Sequence, residues 1–171
     1  MARMVLMKTV GVELRYPGRT VEEVRGILAD PDFRQAVCTY QQVEDSSVTI
    51  EEYDDGSMTV DLQRTYSTTL VPSFARKFVG ATIDLVQREE WGSPTKATFD
   101  VTIPGKPGEM TGTAVLAQIG PDVVETVSMD VRVGIPLVGG KLEDLIAGLL
   151  KDAFRAENKV GVKWLAGEWR V

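Results

Sequence analysis

A chain of 171 residues with 43% hydrophobic and 26% charged side chains is long enough to bury a core without disulfides or a structural metal. Its net charge of −6 repels a phosphate backbone, which argues against nonspecific nucleic-acid binding. With no histidine and one cysteine, Cys38, the chain excludes Ser-His-Asp and Cys-His catalysis, histidine-ligated zinc, multi-thiolate metal sites and an intrachain disulfide.

At the N-terminus the apolar run is only Met4–Met7, shorter than the ~7–15 residues of a secretory leader. No stretch approaches the ~18 apolar residues of a membrane span. The expected compartment is the cytoplasm, with Cys38 as a small buried hydrophobe. No repeat or flexible linker divides the sequence, so one domain over residues 1–171 is expected.

Thr9–Tyr16 alternates, with Val10, Val12 and Leu14 on one face and Glu13 and Arg15 on the other. That predicts a half-buried strand, ended by Pro17-Gly18. Thr20 and Glu23 have the spacing of a capping box, and Val21, Val24, Ile27 and Leu28 follow at helical spacing. Asp30-Pro31 stops this helix, because a residue before proline disfavours helical dihedrals. Pro31–Val37 predicts a second short helix, with Phe33, Ala36 and Val37 on one side.

From Tyr40 to Gly134 the period changes to two. Six strands are expected, at Tyr40–Tyr53, Met58–Thr68, Ile83–Trp91, Thr95–Ile103, Glu109–Ile119 and Val123–Val133. The short turns between most of them predict antiparallel pairing. Gly139-Gly140 then precede a helix of about 25 residues, roughly 37 Å long. Its stripe of Leu142, Leu145, Ile146, Leu149, Leu150, Ala153 and Phe154 is wide and apolar. Strands and helices are segregated along the chain, so the fold class is α+β. The long helix has the one stripe large enough to cover the concave face of a seven-stranded sheet.

This order resembles the START-like helix-grip superfamily, which includes birch-pollen-allergen-like proteins, lipid-transfer domains and polyketide cyclases. Within it, Val71–Val79, the pair Glu90-Trp91, Val101–Gly108 followed by Thr111–Thr113, and Ile135–Lys141 are similar to a bacterial branch of unassigned function. The resemblance covers essentially the whole chain. It implies a hydrophobic cavity between sheet and long helix that takes an apolar or amphipathic small molecule, and it implies no universal catalytic residue.

Several residues are candidates to line such a cavity. Arg64 and Tyr66 continue the apolar face of Met58, Val60 and Leu62, while Gln87 and Glu89 continue that of Ile83 and Leu85. Glu125 sits between Val123 and Val127. A buried charge requires a partner, so Arg64 and Glu89 are expected to pair across neighbouring strands, as a polar handle for a ligand. Phe74 and Phe78 lie on one side of a short amphipathic helix between two strands, which reads as a lid. Its Arg76 and Lys77 can reach anionic headgroups, giving transient membrane contact. Phe99, Met129, Leu145 and Leu149 are the bulky apolar candidates.

The glycines before the long helix match neither a P-loop nor a dinucleotide fingerprint and read as close backbone packing. Glu51, Glu52, Asp54 and Asp55 end at a turn glycine and read as a solvated run. The leading expectation is therefore a binder or carrier of a hydrophobic, lipid-like small molecule, with no cofactor, no metal and no nucleic acid. One alternative is a cyclase-like or hydrolase-like enzyme on an apolar substrate using Glu89, Glu125, Tyr66 or Arg64. The other is a ligand-free protein-interaction module.

Overall fold

The computed structural model describes residues 7–170. Met4–Met7, the apolar run weighed against a leader, lies outside the described residues apart from Met7. In chain order the elements are β1 (Lys8–Tyr16), α1 (Val21–Leu28), α2 (Pro31–Tyr40), β2 (Asp45–Glu52), β3 (Met58–Ser67) and α3 (Ser73–Val79). They continue as β4 (Thr82–Ser93), β5 (Lys96–Thr102), β6 (Glu109–Ile119), β7 (Asp122–Arg132) and α4 (Gly139–Leu165).

Local chemistry sets the helix starts. The Thr20 hydroxyl accepts from the Glu23 amide at 3.2 Å, and the Glu23 carboxylate accepts from the Thr20 amide at 3.1 Å, so the capping box is closed. Asp30 caps α2 by accepting from the Asp32 amide at 2.8 Å, and Pro31 occupies the first turn, where no amide hydrogen is needed. Helix α2 runs three residues beyond the expected Val37 and takes Tyr40 out of the expected strand. The Thr39 hydroxyl donates to the Gln35 carbonyl at 3.1 Å, and the Gln41 amide to the Val37 carbonyl at 2.9 Å. The chain then turns at Gln42, whose φ of 57° breaks the helix, so β2 begins only at Asp45.

The seven strands form one antiparallel sheet in the order β1-β7-β6-β5-β4-β3-β2. Successive strands from β2 to β7 are neighbours, and β1 returns to pair with β7. The two edges are therefore β1 and β2, and α1 and α2 connect them along the chain. Gly112 lies opposite both Phe99 and Met129. A Cβ there would collide with the Ser128 carbonyl and the Met129 sulfur, so only glycine lets the bulky Met129 sit inward at this point.

Helix α4 lies against the inner face. Phe154 meets Phe99 with ring centroids 5.8 Å apart, and Trp164 meets Phe33 edge-on at 5.8 Å. Tyr16, Val24, Phe33, Val60 and Val160 are fully enclosed in the same core. Burying one Phe or Leu side chain contributes about 1.5–3 kcal/mol, so this stripe fixes the helix on the sheet. Gly139 and Gly140 are the first residues of α4 rather than a segment before it. A Cβ on Gly139 would lie 2.6 Å from the Val133 carbonyl, so close backbone packing accounts for that glycine. Leu137, just before this corner, stands fully in solvent at φ 71°.

Candidate functional site

A cavity of about 390 Å³ separates part of the sheet from the helices that cover it. Strands β3 and β4 supply Tyr66, Ile83 and Leu85; α4 supplies Leu142, Ile146, Leu149 and Ala156. Leu142 and Ala156 are fourteen residues apart, so the cavity follows α4 for about 21 Å. Leu70, Lys106, Leu149 and Asp152 are exposed lining residues, and they mark where the cavity meets solvent.

Helix α3 closes one side. It hangs in an excursion between β3 and β4 whose base is pinned at Thr68. The Thr68 amide donates to the Ala81 carbonyl at 3.1 Å, and its hydroxyl donates to the Gly80 carbonyl. Ala75, Phe78 and Val79 line the cavity. Ala75 also packs with Val133 and Leu142 in a small cluster separate from the main core. Being short, with no side-chain cap, α3 depends on these few contacts for its order.

Of the sequence candidates, Arg64, Tyr66, Phe78, Leu145 and Leu149 line the cavity. Phe74 belongs to the cluster between α3 and α4, with the Lys141 ammonium 6.0 Å from its ring, and does not line it. Phe99 and Met129 are buried in the main core. Glu89 and Glu125 point inward as expected, each 1% exposed, but neither reaches the cavity.

The expected Arg64–Glu89 pair does not form. Arg64 stands opposite Leu85 and Glu89 opposite Val60, four residues apart along each strand. The partner of Glu89 is Arg34 of α2, which the sequence reading missed. Two of its guanidinium nitrogens donate to the two carboxylate oxygens at 2.9 Å each, and Nε donates to the Leu28 carbonyl at 2.8 Å. Glu89 also accepts from Gln87 at 2.8 Å and from the Trp91 indole at 3.0 Å. Glu157 of α4 adds a 3.3 Å contact to Arg34. Burial disfavours the Arg34 charge, but Glu89 and Glu157 more than offset this and hold its pKa above the usual value.

Two more buried groups adjoin this network. Burial pushes the Glu125 carboxyl well above the carboxylate range, and Glu157 and Glu89 push it further. Burial likewise raises Glu157, with Arg34 opposing. The Tyr16 hydroxyl and Glu125 Oε2 are enclosed without a hydrogen-bond partner among the described residues.

At the cavity wall the network ends in Arg64. Its Nη2 donates to Gln87 Oε1 at 2.6 Å and its Nη1 to Gln41 Oε1 at 3.4 Å. The same Gln41 oxygen accepts from the Tyr66 hydroxyl at 3.2 Å. Burial raises the Tyr66 pKa, with Arg64 opposing. Gln41 was assigned to a strand from sequence; its place at the end of α2 is what brings it to the cavity. Among the described residues, no cluster of His, Cys, Asp or Glu is placed to hold a metal ion, and no helix is long and apolar enough to cross a membrane.

The chain belongs to the protein family DUF2505, of unknown function, whose model matches residues 12–165. An uncharacterised protein of Mycobacterium tuberculosis is 26% identical over 161 residues, covering 88% of this chain and 92% of that relative. Among solved structures, the Zhui aromatase/cyclase from Streptomyces sp. R1128 is similar with a TM-score of 0.65 at 13% identity, over 97% of this chain and 98% of that one. A START superfamily protein from Mycobacterium smegmatis is similar with a TM-score of 0.51 at 15% identity, over 90% of this chain and 96% of that one. These likenesses show the helix-grip fold.

Proposed function

We propose that the protein binds and carries a hydrophobic or amphipathic small molecule, lipid-like in character, between the sheet, α3 and α4. The observation that supports this is the elongated cavity, apolar along its length and polar at the Arg64–Tyr66–Gln41 corner. A dry void of about 390 Å³ would cost roughly 9 kcal/mol at about 24 cal/mol per Å³. That rivals the ~5–15 kcal/mol net stability of a domain, so the space holds water or a guest. Burying ~300 Å² of apolar ligand surface gives about 7.5 kcal/mol, before the costs of association. The fold shared with a START superfamily protein is consistent with this reading.

An enzymatic reading has less support. An aromatase/cyclase shares the fold, but Glu89 and Glu125, the carboxylates suited to acid–base work, lie away from the cavity. The test is native mass spectrometry of the purified protein, followed by titration with an environment-sensitive apolar fluorophore. Co-purified ligand mass or saturable one-to-one binding is expected. Ala153, which lines the cavity from α4, provides the control: Ala153→Phe fills the space and should weaken fluorophore binding about tenfold or more while the protein stays folded. Absence of saturable binding to the folded wild type overturns the proposal.

A further inference from the structure

We infer that the guest carries a carboxylate head and that Arg64 receives it. This rests on the cavity-binding reading above and adds the chemical class of the ligand.

Among the described residues two arginines are nearly fully buried, and they differ in what holds them. Arg34 is 2% exposed, and its nitrogens are committed to Glu89, Glu157 and the Leu28 carbonyl. Arg64 is 8% exposed, and among the described residues no carboxylate lies within ion-pairing distance of it. Its acceptors are neutral amide oxygens, those of Gln87 and Gln41. Its Nε hydrogen has no acceptor among the described residues although it is enclosed. An enclosed guanidinium with an open donor lacks an anion.

The cavity is where that anion fits. Arg64 and Tyr66 both line it, and they meet at the Gln41 side-chain oxygen. A carboxylate seated there accepts from the Arg64 guanidinium, and the Tyr66 hydroxyl can turn from Gln41 to donate to it. Guanidinium groups meet carboxylates with charge-assisted hydrogen bonds, stronger than those to neutral amides. The other charged lining residues, Lys106 and Asp152, are exposed and stay hydrated. Glu157 is the nearby carboxylate that opposes an incoming anion. Its contact is with Arg34, and burial shifts it toward its neutral form.

The head is a carboxylate rather than a phosphate monoester because one guanidinium faces it. A phosphate near −2 would bring a second charge with no buried cation to meet it. Behind the head, Leu85, Ile146 and Leu149 continue the wall in apolar side chains, which fits one extended hydrocarbon body.

The experiment is calorimetric titration of the wild type with decanoate, decanol and decyl phosphate below their micelle concentrations, repeated on R64M and R64K. Decanoate should bind the wild type about tenfold or more tighter than decanol, the gain expected of a buried charge-assisted pair. The acid-to-alcohol ratio should collapse toward one in R64M and be partly kept in R64K. The inference is overturned if wild type binds decanol and the acid gains nothing, if decyl phosphate binds tightest, or if the acid preference survives in folded R64M. In those cases the cavity reading stands. If folded wild type binds none of the three, and the apolar fluorophore also fails, both readings fall. The wild-type ratio decides the matter even if R64M does not fold.

Discussion

Arg34 grips Glu89 through two parallel 2.9 Å hydrogen bonds, tying α2 to β4 across 55 residues of sequence. The pair is buried, with Trp91 and Gln87 completing the carboxylate's hydrogen bonds. Removing one partner strands a buried charge, which costs far more than the pair contributes. Arg34→Met should lower unfolding free energy by about 3–5 kcal/mol, measured by urea denaturation. The double variant Arg34→Met, Glu89→Met should recover much of that loss. A single-variant loss under about 1 kcal/mol would show that the fork is dispensable.

Glu125 makes stability depend on pH with a definite sign. It faces Glu157, Glu89, Arg34 and Tyr16, and its folded-state pKa is raised, mainly by burial. The folded protein therefore holds a proton that the unfolded chain releases near the ordinary carboxylate value of about 4.5. Stability should fall as pH rises from there toward the folded-state value, by up to about 1.4 kcal/mol per pH unit. Glu157 is raised as well and adds in the same direction. Glu125→Gln cannot ionise, so its stability advantage over wild type should grow as pH rises above the ordinary carboxylate value of about 4.5. Thermal melts at rising pH check it, and an unchanged slope in Glu125→Gln would remove Glu125 as the source.

Gly112 is a steric requirement of the sheet. Gly112→Ala places a methyl against the Ser128 carbonyl, which is backbone and cannot yield cheaply. The expected loss is about 1–3 kcal/mol or more, with the melting temperature as readout. Gly26→Ala, on α1 with nothing within 4 Å of the new atom, is the control and should match or exceed wild type.

Helix α3 should behave as a lid. Its amides should exchange hydrogen faster than those of β6 and β7 without ligand and slow when the cavity is filled. The hinge is expected at Thr68 and Gly80, where side chain and backbone pin the excursion. Exchange in α3 as slow as in the central strands would make it an ordinary part of the core.

The strand registers and helix stripes were legible because they depend on local spacing. Glu109–Ile119 has the same bounds in sequence and structure, and the inward register of Arg64, Gln87 and Glu89 follows from simple alternation. The partners of those residues were not legible. Arg34 lies beside Phe33 on a short helix whose spacing singles out only Phe33, Ala36 and Val37, yet it is buried. Its role is fixed by Glu89 in β4 and Glu157 in α4, far away in sequence. One signal was available: two carboxylates in inward register demand a buried cation, and alternation alone supplied just Arg64. Gln41 was lost for another reason. A left-handed turn at Gln42 ends α2, and nothing in its residue type announces that geometry.

The free edge of β2 carries Asp45, Glu51 and Glu52 and no lysine or arginine. Two copies brought side by side in antiparallel alignment through this edge would set carboxylates against carboxylates with nothing to neutralise them. An open sheet is an invitation to fibril growth, and here the repulsion is built into the exposed margin itself. The acid-rich rim therefore opposes growth of the sheet through β2.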